Sequence, residues 1–330
     1  MLILAKSILA MMIGFILSIL FGIVLIPFLN RKKAKQSVSI FLEKKHKKKN
    51  GIPTMGGLIF IIPTIMTILL LLACNKLDFS MNLFLILFVF IAYALIGFVD
   101  DYLIIKRHNN IGLTEFQKLA LQIVIALIFY FIYMKSGHSS TIDIHTLNIH
   151  FNLGWFYILF ILFMLVGNSN AVNITDGLDG LAGGLSAIAF LALALMTWGS
   201  NWLPGNGDIA IFCFILVGSL LGFLFFNANP AKIIMGDTGS LSLGATMATV
   251  AILTNHELTF VVIAGVFIVE TLVCIIQMIA GRYWGKRIFL MAPLHHHFEK
   301  LGYDEKDIVK SFWVVGLILS MMAIIFSVWI

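Results

Sequence analysis

The chain has 330 residues, of which 60% are hydrophobic and only 12% charged, and its formal net charge is +6. A soluble domain is nearer half apolar and a quarter charged, so a soluble enzyme is excluded; a content of six prolines and 27 glycines excludes a disordered or collagen-like chain. The apolar excess falls in runs of roughly 18–22 residues, the length that crosses a bilayer core.

Ten such segments follow one another, at about 8–29, 56–74, 82–99, 117–134, 154–171, 181–199, 208–226, 239–254, 258–280 and 309–330. Each is expected to be a transmembrane helix. The first, from about Ile8 to Leu29, is too long for a signal-peptide core and lacks a small-x-small cleavage site, so it reads as a retained span. Nine basic residues follow between Arg31 and Lys49. They read as a positive-inside anchor, and Val38, Phe41 and Leu42 near helical spacing suggest contact with anionic headgroups; the end of the run, Lys47–Lys49, also suits phosphate binding. Other basic residues, including Lys106, Arg107, Lys232, Arg282 and Lys286, fall in loops on the same side, against Lys6, Lys76 and Lys135 opposite. Basic loops stay cytoplasmic, so both termini are expected outside. On the outer side Thr141–Phe151 alternates as a small β-hairpin turning near Thr146–Leu147, with His138, His145 and His150 around it; surface histidines there need no ligand role. Cys74, Cys213 and Cys274 lie in or beside apolar runs without metal-type spacing, and read as small apolar fillers. The expected fold is thus an all-α polytopic membrane protein, a single domain over 1–330 with ten spans and one small outer hairpin.

Polar motifs gather in the loops assigned to the cytoplasmic face. Asp100-Asp101 closes the third span, where two carboxylates oppose the helix dipole unless a cation or proton sits beside them. Asn170-Ala-Val-Asn-Ile-Thr-Asp-Gly-Leu-Asp-Gly places Asn170 and Asn173, then Asp176 and Asp179, at i,i+3 spacing, which aims each pair one way if the helix continues. Asp237, in Met-Gly-Asp-Thr-Gly-Ser, stands at an N-cap-like position before the eighth span. A carboxylate there can hold Mg²⁺, which takes one or two protein carboxylates plus phosphate oxygens. Met291-Ala-Pro-Leu-His-His-His-Phe-Glu is not a zinc motif; its histidines can donate to phosphate or sugar oxygens. Glu270 lies within the ninth span, where helix packing and catalysis are both open to it. Many carboxylates, several cations and no Walker A loop suit Mg²⁺-assisted displacement at a pyrophosphate, and a lipid-soluble second substrate would explain the membrane setting.

Gly51-Ile-Pro-Thr-Met-Gly-Gly, Val99-Asp-Asp-Tyr, the Asn170–Ala182 run, Met235-Gly-Asp-Thr-Gly-Ser and the triple-histidine segment stand in this order along nearly the whole chain. In these the sequence resembles the phospho-N-acetylmuramoyl-pentapeptide transferases, within the polyprenyl-phosphate N-acetylhexosamine-1-phosphate transferase superfamily. The resemblance implies a ten-span, dimeric, Mg²⁺-dependent enzyme of the bacterial cytoplasmic membrane with its active site facing the cytoplasm. It implies that UDP-MurNAc-pentapeptide and undecaprenyl phosphate become lipid I and UMP in peptidoglycan synthesis, with no nucleic-acid partner. By matched position it implies Asp237 as metal ligand, and Asp100, Asp101, Asp237 and His296 as catalytic. Lys49, Thr54, Lys118, Asn170, Asn173, Asp176, Asp179, Asn227, His295 and His297 are implied as substrate-binding. Attack directly by the lipid phosphate and attack through an aspartyl intermediate both fit these residues. Two positions depart from the family pattern: Ile104 stands where a lysine is common, and Ile234 where phenylalanine precedes Met-Gly-Asp. Both bear on the uracil end. A sister transferase that loads GlcNAc-1-phosphate is the nearest alternative, disfavoured by Pro53-Thr-Met-Gly-Gly and the triple histidine. A transporter is the remote one, disfavoured by scarce mid-span charge and no visible repeat.

Overall fold

In hydrocarbon no water can satisfy backbone N–H and C=O groups, so apolar runs close their hydrogen bonds within helices. The computed structural model describes residues 2–31, 51–107, 112–144, 149–199 and 206–328. The described residues are mostly helical: α1 (Leu2–Arg31), α2 (Leu58–Ala73), α3 (Met81–Arg107), α4 (Glu115–Lys135), α5 (Tyr157–Thr175), α6 (Leu181–Gly199), α7 (Gly207–Asn227), α8 (Gly236–Leu253), α9 (Glu257–Ile263), α10 (Gly265–Trp284), α11 (Leu294–Leu301) and α12 (Glu305–Val328). The strands β1 (Thr141–Ile144) and β2 (Ile149–Asn152) pair antiparallel, with Thr141 opposite Asn152 and Ile144 opposite Ile149. That is the expected hairpin; its turn, with His145, lies outside the described residues, as do Lys49 and most of the basic run.

Eight described helices, α1, α3, α4, α5, α6, α7, α10 and α12, are long and apolar enough to cross a membrane. Of the other expected spans, α2 is an apolar helix of only 16 residues, and α8 is enclosed by protein, buried at every residue from Thr238 to Leu253. Its Ser, Thr and Gly content suits helix contact rather than lipid contact. The ninth span, expected as one helix over 258–280, is two: α9 ends at Ile263 and α10 starts at Gly265. The break at Ala264 falls where Gly265 brings the chain close to Leu319 of α12. Large apolar side chains such as Leu20, Val24, Phe131 and Phe163 are exposed, which is ordinary against lipid and anomalous against water.

The core is built around α8, which lies against α3 and α5. Two glycines permit the approach. A Cβ on Gly97 of α3 would overlap the backbone carbonyl of Asp237, and one on Gly244 of α8 would overlap the backbone of Asn168 and Ser169. A capping box starts α4: Thr114 Oγ1 accepts from Gln117 N at 3.2 Å, and Gln117 Oε1 accepts from Thr114 N at 3.0 Å. This fixes Lys118 near the first turn of its helix.

Candidate active site

The ends of α3, α4, α5 and α8 meet at one point. Ligand oxygens of Asp100, Asp101 and Asp237 lie within 4.8 Å of one another. Lys118 Nζ stands between two of them, 3.3 Å from Asp100 Oδ1 and 2.5 Å from Asp237 Oδ2. Asn173 donates to the other oxygen, Asp237 Oδ1, at 2.8 Å and to Ser240 Oγ at 2.9 Å. Three carboxylates face one ammonium, so the cluster keeps excess negative charge while all are ionised, and like charges this close favour an added cation.

Two expectations about these aspartates are corrected. Asp100 and Asp101 do not close α3, which runs on to Arg107; the pair sits inside the helix and faces protein. Asp237 is not the cap of α8 but lies in its first turn, and the residue at the cap position makes no side-chain bond. Asp101 caps α8 from outside: its Oδ2 accepts from Thr238 N at 3.0 Å and Thr238 Oγ1 at 2.6 Å, and its Oδ1 from Asp237 N at 3.4 Å. A carboxylate on free N–H groups at a helix N-terminus is stabilised by both the bonds and the dipole. Asp100 instead takes Leu113 N at 2.8 Å on Oδ1, so the adjacent carboxylates have different tasks. Thr54 Oγ1, itself buried, lies 3.5 Å from Asp101 Oδ1.

The loop carrying Thr54 is stitched to the strand of chain entering α8. Gly56 N donates to Ile234 O at 2.8 Å, Gly57 N to Met235 O at 2.9 Å, and Ile234 N to Pro53 O at 2.9 Å. Asn227 and Asp179 also hold this segment. Asn227 Oδ1 accepts from Gly180 N at 3.1 Å while its Nδ2 donates to Ile233 O at 2.9 Å. Asp179 Oδ2 accepts from Ala231 N at 3.0 Å and Asn229 Nδ2 at 3.3 Å. The helix α5 ends at Thr175 with Asp176 as its C-cap, so helical spacing does not relate Asp176 to Asp179. Asn170 also departs from the paired reading with Asn173: its Nδ2 donates to Gln122 Oε1 and Val166 O, both at 2.8 Å.

The histidines form a separate group on α11. Glu270, fully buried in α10, accepts from Leu294 N at 2.6 Å, His295 N at 3.2 Å and faces His295 Nδ1 at 3.1 Å. It thereby caps α11 and fixes the first histidine. His295 Nε2 has no partner and lies against Gly177, where a Cβ would overlap it. His296 Nδ1 is 2.6 Å from Glu299 Oε2, and His297 Nδ1 accepts from Leu290 N at 3.1 Å. The first histidine thus rests on Gly177 of the Asp176–Gly180 turn, and none of the three belongs to the carboxylate cluster. On the far hairpin, His138 bonds Tyr133 O at 3.2 Å and Asn82 Oδ1 at 3.0 Å and stacks on Tyr133; burial holds its pKa below the ordinary histidine value. Its ring nitrogens are engaged in the fold, and among the described residues the aspartates form the one group suited to a metal.

Sequence reasoning missed Thr238, Ser240 and Gln122. The first two stand inside the quoted Met-Gly-Asp-Thr-Gly-Ser run, where the eye goes to the acid. Gln122 carried a signal: an amide in an apolar helix, one turn after Lys118.

The donor set fits a hard divalent cation, being all carboxylate oxygen, the kind of ligand that Mg²⁺ takes together with phosphate oxygens. Comparison with known proteins agrees with a phosphosugar chemistry. The sequence model of glycosyl transferase family 4 matches residues 83–255, and a phospho-N-acetylmuramoyl-pentapeptide-transferase signature matches 49–61. A relative of that name from Geobacillus sp. (strain WCH70) is 48% identical over 98% of both chains. One from Bacillus licheniformis is 48% identical over 96% of both, and one from Bacillus subtilis (strain 168) 47% identical over 97% of both. With identity at this level along almost its whole length, the chain belongs to the phospho-N-acetylmuramoyl-pentapeptide transferase family.

Proposed function

We propose that this enzyme transfers phospho-MurNAc-pentapeptide from UDP-MurNAc-pentapeptide to undecaprenyl phosphate, giving lipid I and UMP, with Mg²⁺ at the aspartate cluster. The observation that carries the reading is the convergence of Asp100, Asp101, Asp237 and Lys118 at the ends of buried helices, in a chain whose relatives bear that activity as their name. The chain acts as one integral membrane domain with ten spans. The eight long helices, the short α2 and the enclosed α8 supply them, and α9 with the start of α10 shares one crossing. Both termini are extracytoplasmic and the site faces the cytoplasm of a bacterial inner membrane. The active form is a homodimer in the bilayer.

The groups suit in-line displacement. A lipid-phosphate oxygen bonds to the sugar-bearing phosphorus while the bond from that phosphorus to the UMP oxygen breaks. Bound Mg²⁺, held by Asp237 with Asp100 or Asp101 nearby, would neutralise pyrophosphate charge. Asp100, held by Leu113 N–H and Lys118, orients or deprotonates the acceptor phosphate. Lys118 offsets charge on the oxygens that shift during displacement, as a fixed cation does most effectively away from water. Asn173 fixes the rotamer of Asp237. Thr54, Asp176 and Lys49 belong to the nucleotide side, and His295, His296 and His297 to the sugar or pyrophosphate. Asp179 and Asn227 act by shaping the segment before α8, since their bonds go to its backbone.

The test is UMP release by purified protein with Mg²⁺, polyprenyl phosphate and either UDP-MurNAc-pentapeptide or UDP-GlcNAc. Release that needs both the lipid and the muramoyl nucleotide is expected. Release with UDP-GlcNAc alone would overturn the assignment in favour of the sister transferase.

A further inference from the structure

Below the aspartate cluster, one to three turns deeper along each helix, lies a second layer of polar contacts that the transfer chemistry does not use. Tyr93 of α3 donates to Gln122 O at 3.1 Å. Gln122 of α4 accepts from Asn170 of α5 at 2.8 Å. Asn168 of α5 donates to Gly244 O of α8 at 2.7 Å, and Ser242 of α8 to Phe90 O of α3 at 2.7 Å. The ring ties together the four helices that supply Asp100, Lys118, Asn173 and Asp237.

Gln122 is the centre of that ring and has no exposed surface. Its Nε2 has no partner. A buried unpaired donor costs about 1–3 kcal/mol, and an apolar side chain of the same shape avoids the cost; packing alone therefore gives no reason for an amide here. Register does. Gln122 follows Lys118 by one turn on α4, and Asn170 precedes Asn173 by one turn on α5. At 1.5 Å per residue the Gln122–Asn170 bond lies roughly 5–6 Å beneath the Lys118–Asn173 level. Above it, Lys118 and Asn173 grip opposite oxygens of one carboxylate, Asp237 Oδ2 and Oδ1. Sliding α4 against α5 would release one grip or the other.

We propose that Gln122 is a positioning residue: through its bond to Asn170 it sets the register of α4 on α5, so that Lys118 and Asn173 hold Asp237 from both sides. Asn170 acts in the same bond rather than on the nucleotide. The proposal rests on Asp237 as a centre of the reaction.

The experiment uses the full-length enzyme in detergent or vesicles, with Gln122→Leu, Asn170→Gln and the exchanged pair Gln122→Asn with Asn170→Gln. Leucine removes the bond together with the unpaired donor, and Asn170 keeps Val166 O, so the thermal midpoint should not fall. The turnover number should drop roughly 10–100-fold, the scale of a misplacement near 1 Å. KM for the UDP-sugar should stay within about twofold. The exchanged pair keeps the same total side-chain length across the gap and should regain at least about half of the lost turnover on a logarithmic scale. A readout apart from turnover is the distance between spin labels at Phe116→Cys and Ile174→Cys, which should broaden in Gln122→Leu and narrow again in the exchanged pair. Unchanged turnover and unchanged distances in Gln122→Leu would overturn the proposal, as would a loss that the exchange does not recover. Asp237→Asn in parallel separates the two readings: if it turns over normally, the reaction centre is misassigned; if it is inactive while Gln122→Leu is normal, only the register proposal fails.

Discussion

Asp237 makes contacts that a neutral side chain could imitate in shape but not in charge: Lys118 on one oxygen and Asn173 on the other. Asp237→Asn keeps its size and gives up the charge that Lys118 and the proposed Mg²⁺ require. We predict at least a ~100-fold fall in the turnover number, in line with removal of one key electrostatic group, read by UMP release at saturating substrates. Ile234 presents a second residue-scale question. Its backbone is tied to Pro53 and Gly56 while its side chain is only half-buried. Phenylalanine there would offer a face to uracil, and base–aromatic stacking is worth roughly 1–3 kcal/mol. Ile234→Phe is therefore expected to lower KM for the UDP-sugar by up to ~10-fold if about 1.4 kcal/mol is gained, with the turnover number little changed. An equal or higher KM in steady-state kinetics would remove position 234 from the base pocket. At this scale the acids were legible, because carboxylates at membrane depth are costly and few. Their partners were not. Nothing in the chain order says that Asp101 caps α8, 136 residues away by its bond to Asp237 N, or that Asn227 spends both ends of its amide on backbone.

Elements were legible where apolar length alone decides them, as in α1, α3, α4 and α7. The departure came at the ninth span, where the expected single helix is broken in two. The Ser, Thr and Gly content of α8 suits the enclosure that the structure shows, whereas no proline announces the break between α9 and α10 at Ala264. The short α11 shows how one element depends on another. Eight residues make too few turns to stand alone, and Glu270 from α10 supplies its N-terminal acceptor. Its position on the Asp176–Gly180 turn depends in turn on Gly177 having no Cβ. Gly177→Ala should push His295 off the turn and lower turnover by at least ~10-fold, while overpacking of this kind costs about 1–3 kcal/mol in stability. Kinetics and thermal unfolding of the purified variant check both figures, and wild-type behaviour in both would mean that α11 is free to shift without consequence.

Across the whole molecule, orientation follows from where charge and aromatic rings meet the membrane surface. The structure exposes Trp155 and Phe156 beside the hairpin, and Tyr283 and Trp284 at the end of α10. Aromatic side chains of this kind mark the two interfaces of a bilayer, and these pairs lie at opposite ends of the helix stack: α5 runs from Tyr157 to the site end at Thr175, and the hairpin precedes its start. Arg282, Lys286 and Arg287 accompany the second pair, while the side that bears the hairpin offers Lys6, Lys76 and Lys135. On this ground we propose that the α10 end, the aspartate cluster and α11 face the cytoplasm, as basic segments do under the positive-inside bias. Single cysteines at exposed positions read this directly, in a background with Cys74, Cys213 and Cys274 replaced. Lys300→Cys, at the end of α11, should react with a membrane-impermeant maleimide only after the cells are opened. Ser139→Cys, beside the hairpin, should react in intact cells. Ten crossings require these two answers to differ, because three crossings, α5, α6 and α7, separate Ser139 from the Asp237 segment and one more pair, α8 and then α9 with α10, brings the chain to Lys300, five in all. Labelling of both from the same side would remove a crossing between them, and the enclosed α8 would then be the first helix to reassign.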